Sequence, residues 1–316
     1  MSAAAVRAAA RRLRPHLAET PLEASPFLSE ATGVPVRLKL ECFQPTRSFK
    51  VRGAFNALLA LGPSVREARV VGASAGNHGL GLALAAEALG ARAILYVPAG
   101  APETKVRRIR ELGAEVRLVE GSYDDAEARA MERAMAGEGL LVHPFDDDEV
   151  VAGQGTAGLE ITARWSEVEE VVVPVGGGGL LAGVGVALGA PGERRVWGVQ
   201  SQRTRAMHDA FAAGRSVPTE VVPTLADGLA GGVTEGSYRR ARAVTDEVRL
   251  VAEEGIADAV RALYRHHGVV AEGSAAVAVA ALLEGVVAPR GPTAVIVTGG
   301  NMDGERLARI LAGGAD

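Results

Sequence analysis

Short runs of β-branched residues recur along this chain, separated by stretches rich in Ala and Leu. That alternation is the strongest constraint on its fold. The apolar runs fall at residues 34–41, 68–74, 91–98, 114–120, 169–176, 194–200 and 293–300. Helical spacing is read at 49–61, 77–89, 102–112, 149–165, 255–267 and 272–284. Nearly continuous apolar strands alternating with helices belong to parallel sheets covered on both faces. The expected class is α/β, with doubly wound parallel sheets. Pro and acidic residues break the pattern near 67–69 and again in "HPFDDDE", from His143. These breaks suggest a large unit of residues 1–67 and 147–316, with a smaller α/β unit, residues 68–146, inserted in it.

Charge and composition narrow the function. A net charge of −4 argues against a nucleic-acid footprint and against binding to anionic membranes. No apolar run reaches the roughly 18 residues of a membrane-spanning helix. The opening "MSAAAVRAAARRLRPHL" reads as an Ala/Arg helix rather than a signal peptide. Cys42 is the single cysteine, which rules out an internal disulfide framework and suits a reducing compartment. A cytoplasmic location is expected.

Lysine is almost absent. Of 34 Lys and Arg residues, only Lys39, Lys50 and Lys105 are lysines. Arg stays protonated in proteins, whereas a lysine amine can be neutralised and used as a nucleophile. Lys50 follows Ser48, a good N-cap, and so should sit in the first turn of helix 49–61. The helix dipole disfavours positive charge there and lowers the pKa of an amine, as a Schiff-base lysine requires.

Three glycine-bearing turns close apolar strands. "GASAGNHGLG" (72–81) is either an ordinary capped strand–helix turn or an anion site at a helix N-terminus, with Ser74 and Asn77 as added donors. "VVVPVGGGGLLAG" (171–183) presents Gly176, Gly177, Gly178 and Gly179, whose backbone N–H groups no side chain screens. Gly177, Gly179 and Ala182 also fit a loose dinucleotide pattern. The acidic residue that should follow is missing, because the next strand ends in Gln200 and Ser201. Nor does a Lys-Ser/Thr pair follow, so a single phosphate monoester suits this turn best. "VIVTGGNMDG" (295–304) ends a strand on Thr298, whose hydroxyl either caps the turn or meets a ring nitrogen. A phosphate cup, a nucleophilic amine, a hydroxyl for a pyridine nitrogen and an anion loop together describe a pyridoxal phosphate enzyme acting on an amino acid. A non-catalytic phosphate- or nucleotide-binding module is the alternative from another class.

The segments "PTRSFKVRGA", "SAGNHG", "HPFD", "AGQGT", "PVGGGGLLAG" and "TGGNMD", from residue 20 to about 310, resemble the threonine/serine dehydratase and serine racemase family of fold type II pyridoxal phosphate enzymes. The resemblance implies two doubly wound parallel-sheet domains with the small domain inserted in the large one. It implies that Lys50 forms the Schiff base with pyridoxal 5'-phosphate, that Phe49 packs on the ring and that Asn77 bonds its hydroxyl. It further implies that Gly176 to Gly179 with Leu180 hold the phosphate and that Thr298 faces the ring nitrogen. Ser74, Ala75, Gly76, Asn77 and His78 would bind the substrate carboxylate. Family membership also implies a homodimer and leaves room for a monovalent cation. The expected reaction is α,β-elimination of L-threonine or L-serine to a 2-oxo acid and ammonia.

Departures from the family pattern sharpen that expectation. Eukaryotic serine racemases carry a second serine in the loop as acid/base on the face opposite the lysine. Here that position is Ala75, which cannot move a proton. Phe145 follows "HP" as in dehydratases, where racemases have Asn. Racemase carboxylates for a divalent cation align with Gln200 and Ala206, so no metal is expected there. A regulatory amino-acid-binding domain after the catalytic segment is not expected. Racemisation, or elimination from another 3-hydroxy amino acid, are the alternatives within the family.

Overall fold

All seven apolar runs form strands in the computed structural model, which describes residues 1–245 and 247–314. In chain order the strands are β1 (Leu22–Ala24), β2 (Val36–Leu40), β3 (Arg69–Ala73), β4 (Arg92–Pro98), β5 (Glu115–Val119), β6 (Leu140–Leu141), β7 (Glu170–Pro174), β8 (Arg195–Ser201), β9 (Val248–Val251) and β10 (Thr293–Val297). The helices are α1 (Ala3–Leu13), α2 (Pro26–Thr32), α3 (Lys50–Leu59), α4 (Asn77–Leu89), α5 (Glu103–Glu111), α6 (Tyr123–Met135), α7 (Asp148–Arg164), α8 (Gly179–Ala187), α9 (Ala206–Ala213), α10 (Glu235–Arg242), α11 (Glu253–His267), α12 (Gly273–Leu283) and α13 (Gly304–Leu311).

The strands make a six-stranded sheet, β1-β2-β10-β7-β8-β9, and a four-stranded sheet, β5-β4-β3-β6. Every pairing is parallel except β1 with β2. Strands from within residues 69–141 build the smaller sheet, and strands before and after them build the larger one. This is the α/β architecture expected of the chain. On one face of the larger sheet, Leu38, Val172 and Val295 pack with Val260 of α11 and Val277 of α12. On the other face, Val171, Val173 and Ile296 meet Ile161 of α7, Leu181 of α8 and Met207 of α9. In the smaller sheet, Val70, Leu95 and Val97 pack with Leu82 of α4 and with Val51 and Leu58 of α3. Ala126 and Ala130 of α6 cover its other face, against Val71, Ile94 and Tyr96. Thus α3 precedes the smaller sheet in sequence yet shares its core.

The stretch "VVAGQGTAG" of α7 serves packing. A Cβ on Gly153 would lie 2.6 Å from the Arg52 carbonyl oxygen of α3. A Cβ on Gly155 would lie equally close, 2.6 Å, to the Gly183 carbonyl oxygen of α8. Glycine lets α7 lie between both helices at backbone contact.

Charge also ties α3 down. Arg52 is buried, with its Nε and Nη2 donating to Glu41 Oε2 (2.7 Å) and Oε1 (2.8 Å). Its Nη1 and Nη2 donate to Glu160 Oε1 (2.6 Å) and Oε2 (2.8 Å). Lys39 Nζ donates to Glu160 Oε2 (2.5 Å) and to the Thr20 carbonyl (2.7 Å). Burial disfavours the Arg52 charge, but Glu41 and Glu160 raise its pKa above the ordinary value. Burial would raise Glu41, yet Arg52 outweighs it and holds the carboxyl below its usual range. Two cations and two anions therefore balance in a site with little water. Lys39 corrects the reading of lysine scarcity, since this second lysine is kept for a buried ion pair.

Replacing Arg52 leaves the Glu41 charge buried and unpaired. Arg52→Met is expected to destabilise the protein by about 3–5 kcal/mol in chemical denaturation. A loss under about 1 kcal/mol, the scale of an exposed pair, would contradict this account.

Candidate active site

Strands β3, β6, β7 and β10 all end on one cleft of about 840 Å³, at the carboxyl edges where parallel sheets bind ligands. Every position the sequence offered for cofactor or substrate carboxylate lines it: Phe49 and Lys50, Ser74 to His78, Gly176 to Leu180, and Thr298. Residues up to 249 apart in sequence, Phe49 and Thr298, are thereby brought together.

Lys50 is the first residue of α3. Its Nζ donates to the Pro144 carbonyl (2.9 Å). Burial pushes the amine down to about 8. The cause differs from the helix-dipole argument made on the sequence, and so does the cap. Phe49 precedes the helix with no side-chain cap, and the Ser48 hydroxyl is buried without a partner among the described residues. Ser48 instead bridges to Gly299, the Phe49 N–H donates to the Thr298 carbonyl (3.0 Å), and the Gly300 N–H donates to the Arg47 carbonyl (2.9 Å). Arg47 takes a left-handed conformation, φ 56°, to make this zipper, a strained state for a residue other than glycine. The zipper fixes Lys50 relative to Thr298. The Thr298 hydroxyl has no hydrogen-bond partner among the described residues.

Two groups of backbone donors flank the amine. At the start of α8, the N–H groups from Gly176 to Leu180 have no partner among the described residues. Gly178 turns the chain at φ 88°, and the Phe145 ring closes on Gly177, where a Cβ would lie 2.2 Å away. At the start of α4, the N–H groups of Ala75, Asn77 and His78 are likewise unpartnered. The helix begins at Asn77, so Asn77 and His78 belong to its first turn and only Ser74 to Gly76 form the loop. The His78 ring is buried against the Val142 carbonyl (2.9 Å), and its Nδ1 is without a partner among the described residues. Burial first, then the Lys50 charge, pushes it down to about 3. Its neutral ring brings no positive charge to an anion, which leaves the backbone N–H for that task.

Asn77 is held from behind. Its Nδ2 donates to Glu272 Oε1 (2.8 Å), and its Oδ1 accepts from Asn301 Nδ2 (2.7 Å). Glu272 also accepts the Asn301 N–H (3.2 Å). Burial, then the charge of Asp227, raises the Glu272 carboxyl to about 7. Arg108 of α5 donates to Asn301 Oδ1 (3.0 Å), linking the smaller-sheet side to this network. The sequence reading missed Glu272, Asn301, Tyr123, Glu127 and His143 as cleft residues or their supports. Asparagine is scarce, at Asn56, Asn77 and Asn301 only, and that scarcity was the one signal for the Asn77–Asn301 pair.

Gln200 is fully buried, and its Oε1 accepts the His208 N–H (2.9 Å) at α9. Among the described residues no three His, Cys, Asp or Glu side chains gather as for a metal. No described helix is long and apolar enough to cross a membrane.

The chain belongs to the pyridoxal-phosphate dependent enzyme family, whose model matches residues 13–299. Among individual relatives, it is 42% identical to an L-threonine ammonia-lyase of Thermotoga maritima, across 97% of this chain and 77% of that protein. It is 37% identical to the catabolic L-threonine dehydratase of Escherichia coli K12, across 96% and 93%. The fold superposes on the processed form of threonine deaminase isoform 2 from Solanum lycopersicum with a TM-score of 0.90 at 32% identity, covering 98% of this chain and 87% of that one. Maize serine racemase gives a TM-score of 0.92 at 28% identity, covering 98% and 97%. The residues fit the family's cofactor: a buried amine that neutralises readily stands beside a run of unpartnered N–H groups suited to a phosphate.

Only the neutral amine attacks a carbonyl, and the neutral fraction rises as pH passes the pKa. Capture of added pyridoxal phosphate by the apoprotein, followed by absorbance, is therefore expected to quicken with pH and level off above about 8. A rate still climbing toward about 10.4, the ordinary lysine value, would contradict the burial argument. Gly177→Ala is expected to push Phe145 aside and cost about 1–3 kcal/mol of stability. Adding Phe145→Ala should recover part of that loss, whereas strictly additive losses would show no contact between the two.

Proposed function

We propose that this chain is a pyridoxal phosphate-dependent dehydratase that converts L-threonine, and L-serine beside it, to a 2-oxo acid and ammonia. The observation that carries the reading is the buried Lys50 amine, lowered to about 8, in one cleft with two unpartnered sets of backbone N–H groups. The names of the relatives support the same reaction.

When bound, the cofactor supplies an electron sink that acidifies the substrate Cα–H. Lys50 would anchor it, and the N–H groups from Gly176 to Leu180 would hold its phosphate. Phe49 would pack on the ring, Asn77 would bond the ring hydroxyl, and Thr298 would meet the ring nitrogen with a neutral hydroxyl. The α4 N-terminus, from Ser74 to His78, would hold the substrate carboxylate. Lys50 Nζ, brought by burial to about 8 and so neutral in a large fraction near that pH, would take the Cα proton. The Pro144 carbonyl, which accepts from Nζ (2.9 Å), keeps the amine from swinging away. The β-hydroxyl would leave as water, carrying the equivalent of the proton Lys50 took from Cα, and the enamine that remains would take up one water to yield the 2-oxo acid and ammonia. Ala75 offers only a methyl group on the loop, and that supports proton transfer on one face and elimination over racemisation.

The proposal extends to the division of the chain, with residues 68–146 as the small unit, and to a cytoplasmic homodimer. A monovalent cation is a further expectation, to be read from potassium dependence of the rate. The main test is release of 2-oxobutanoate from L-threonine by purified, cofactor-loaded protein. Lys50→Ala and Lys50→Arg are both expected to lose at least about 10³-fold in kcat, since a charge cannot replace a removable proton. Turnover that survives Lys50→Arg would sink the assignment.

A further inference from the structure

The cleft is lopsided in charge. Besides Lys50 and the two glycine-bearing turns, its wall includes Tyr123, Asp124 and Glu127 of α6, Lys105 of α5, Asp227 and His143. Lys105 Nζ lies 3.6 Å from Asp227 Oδ2, so its charge is already paired. Glu272 adds another buried acidic group behind Asn77. No arginine, the usual partner of a carboxylate ligand, lines the cleft among the described residues.

Glu127 lines this space and is held by two neighbours. Tyr123 Oη donates to its Oε1 (3.2 Å). His143 Nδ1 accepts the N–H groups of Phe145 (3.3 Å) and Asp146 (2.9 Å). The ring proton therefore sits on Nε2, which lies 3.5 Å from the same Glu127 oxygen. Burial first keeps His143 neutral, down at about 4. Two neutral groups thus orient Glu127. Among the described residues no Lys or Arg pairs it, and its Oε2 makes no hydrogen bond.

We propose that Glu127 determines substrate class: it admits amino acids whose side chain ends in an uncharged hydroxyl and repels those ending in a carboxylate. The free oxygen is an acceptor for a hydroxyl, while a second carboxylate would meet Asp124, Glu127 and Asp227, with only the paired Lys105 and the cofactor-bound Lys50 against them. This rests on the elimination reading and adds to it that 3-hydroxyaspartate-like substrates are excluded.

The test uses calorimetry on the cofactor-loaded enzyme at pH 8, because burial holds Glu127 above the usual carboxylate range. The ligands are L-2-aminobutyrate and L-aspartate, neither of which carries a β-hydroxyl to lose. Wild type is expected to bind aminobutyrate at least about tenfold more tightly. Glu127→Gln should shrink that ratio roughly fivefold or more by tightening aspartate, and Glu127→Asp should retain it. Equal affinities in wild type would overturn the proposal without any variant. So would an unchanged ratio in a Glu127→Gln protein whose cofactor spectrum and Tm match wild type. These ratios are read without turnover, so absent 2-oxo acid release would count against the elimination reading alone.

Discussion

The burial of Arg52 between Glu41 and Glu160 is the constraint on which the rest of the structure leans. Those carboxylates come from the segment after β2 and from α7, and the guanidinium comes from α3. An ion group of this kind adds little to stability over an apolar equivalent, yet its four hydrogen bonds tie α3 to the segment after β2 and to α7. It fixes the start of α3, two residues beyond Lys50. The Ser48–Gly299 bridge then fixes the segment just before Lys50. A long flexible side chain is thereby launched from a backbone clamped on both sides.

From that clamp the chemistry follows in order. Burial removes water from the Lys50 amine and lowers it to about 8. The first N–H groups of any helix lack an intrahelical partner, and at α4 and α8 no side-chain cap takes them up. Here both starts open on the cleft that holds the amine. A nucleophile thus stands between two sites for anions, one suited to a phosphate and one to a carboxylate. Glycines at 177 and 178 serve two ends at once. They expose backbone donors, and they make room for Phe145 and for the φ 88° turn.

Much of the fold was legible because both sheets are covered on both faces, so their central strands had to be continuously apolar. Strands β1, β6 and β9 were not legible. They have 3, 2 and 4 residues, too few to show a period, and they carry exposed positions. Helix α6 was hidden by its charged sequence, "YDDAEARAMERAM", of which only Ala126 and Ala130 are buried. In the cleft, Lys50 stood out through scarcity, and glycine runs marked the turns. Glu272, Glu127 and His143 did not stand out. Acidic residues number 38, and Glu272 reaches Asn77 across 195 positions, a contact that only the packed sheets create. Ser48 misled for a local reason: a good N-cap residue was drawn into a bridge with Gly299 instead.

The central claim is that Lys50, and no other lysine, is the amine on which this site works. With three lysines in the chain, the most direct test is borohydride reduction of the cofactor-loaded protein followed by peptide mass mapping. The account predicts one stoichiometric pyridoxyl phosphate label, on the peptide carrying Lys50. A label on Lys39 or Lys105, or none at all under conditions that give the cofactor's bound absorbance, would contradict it.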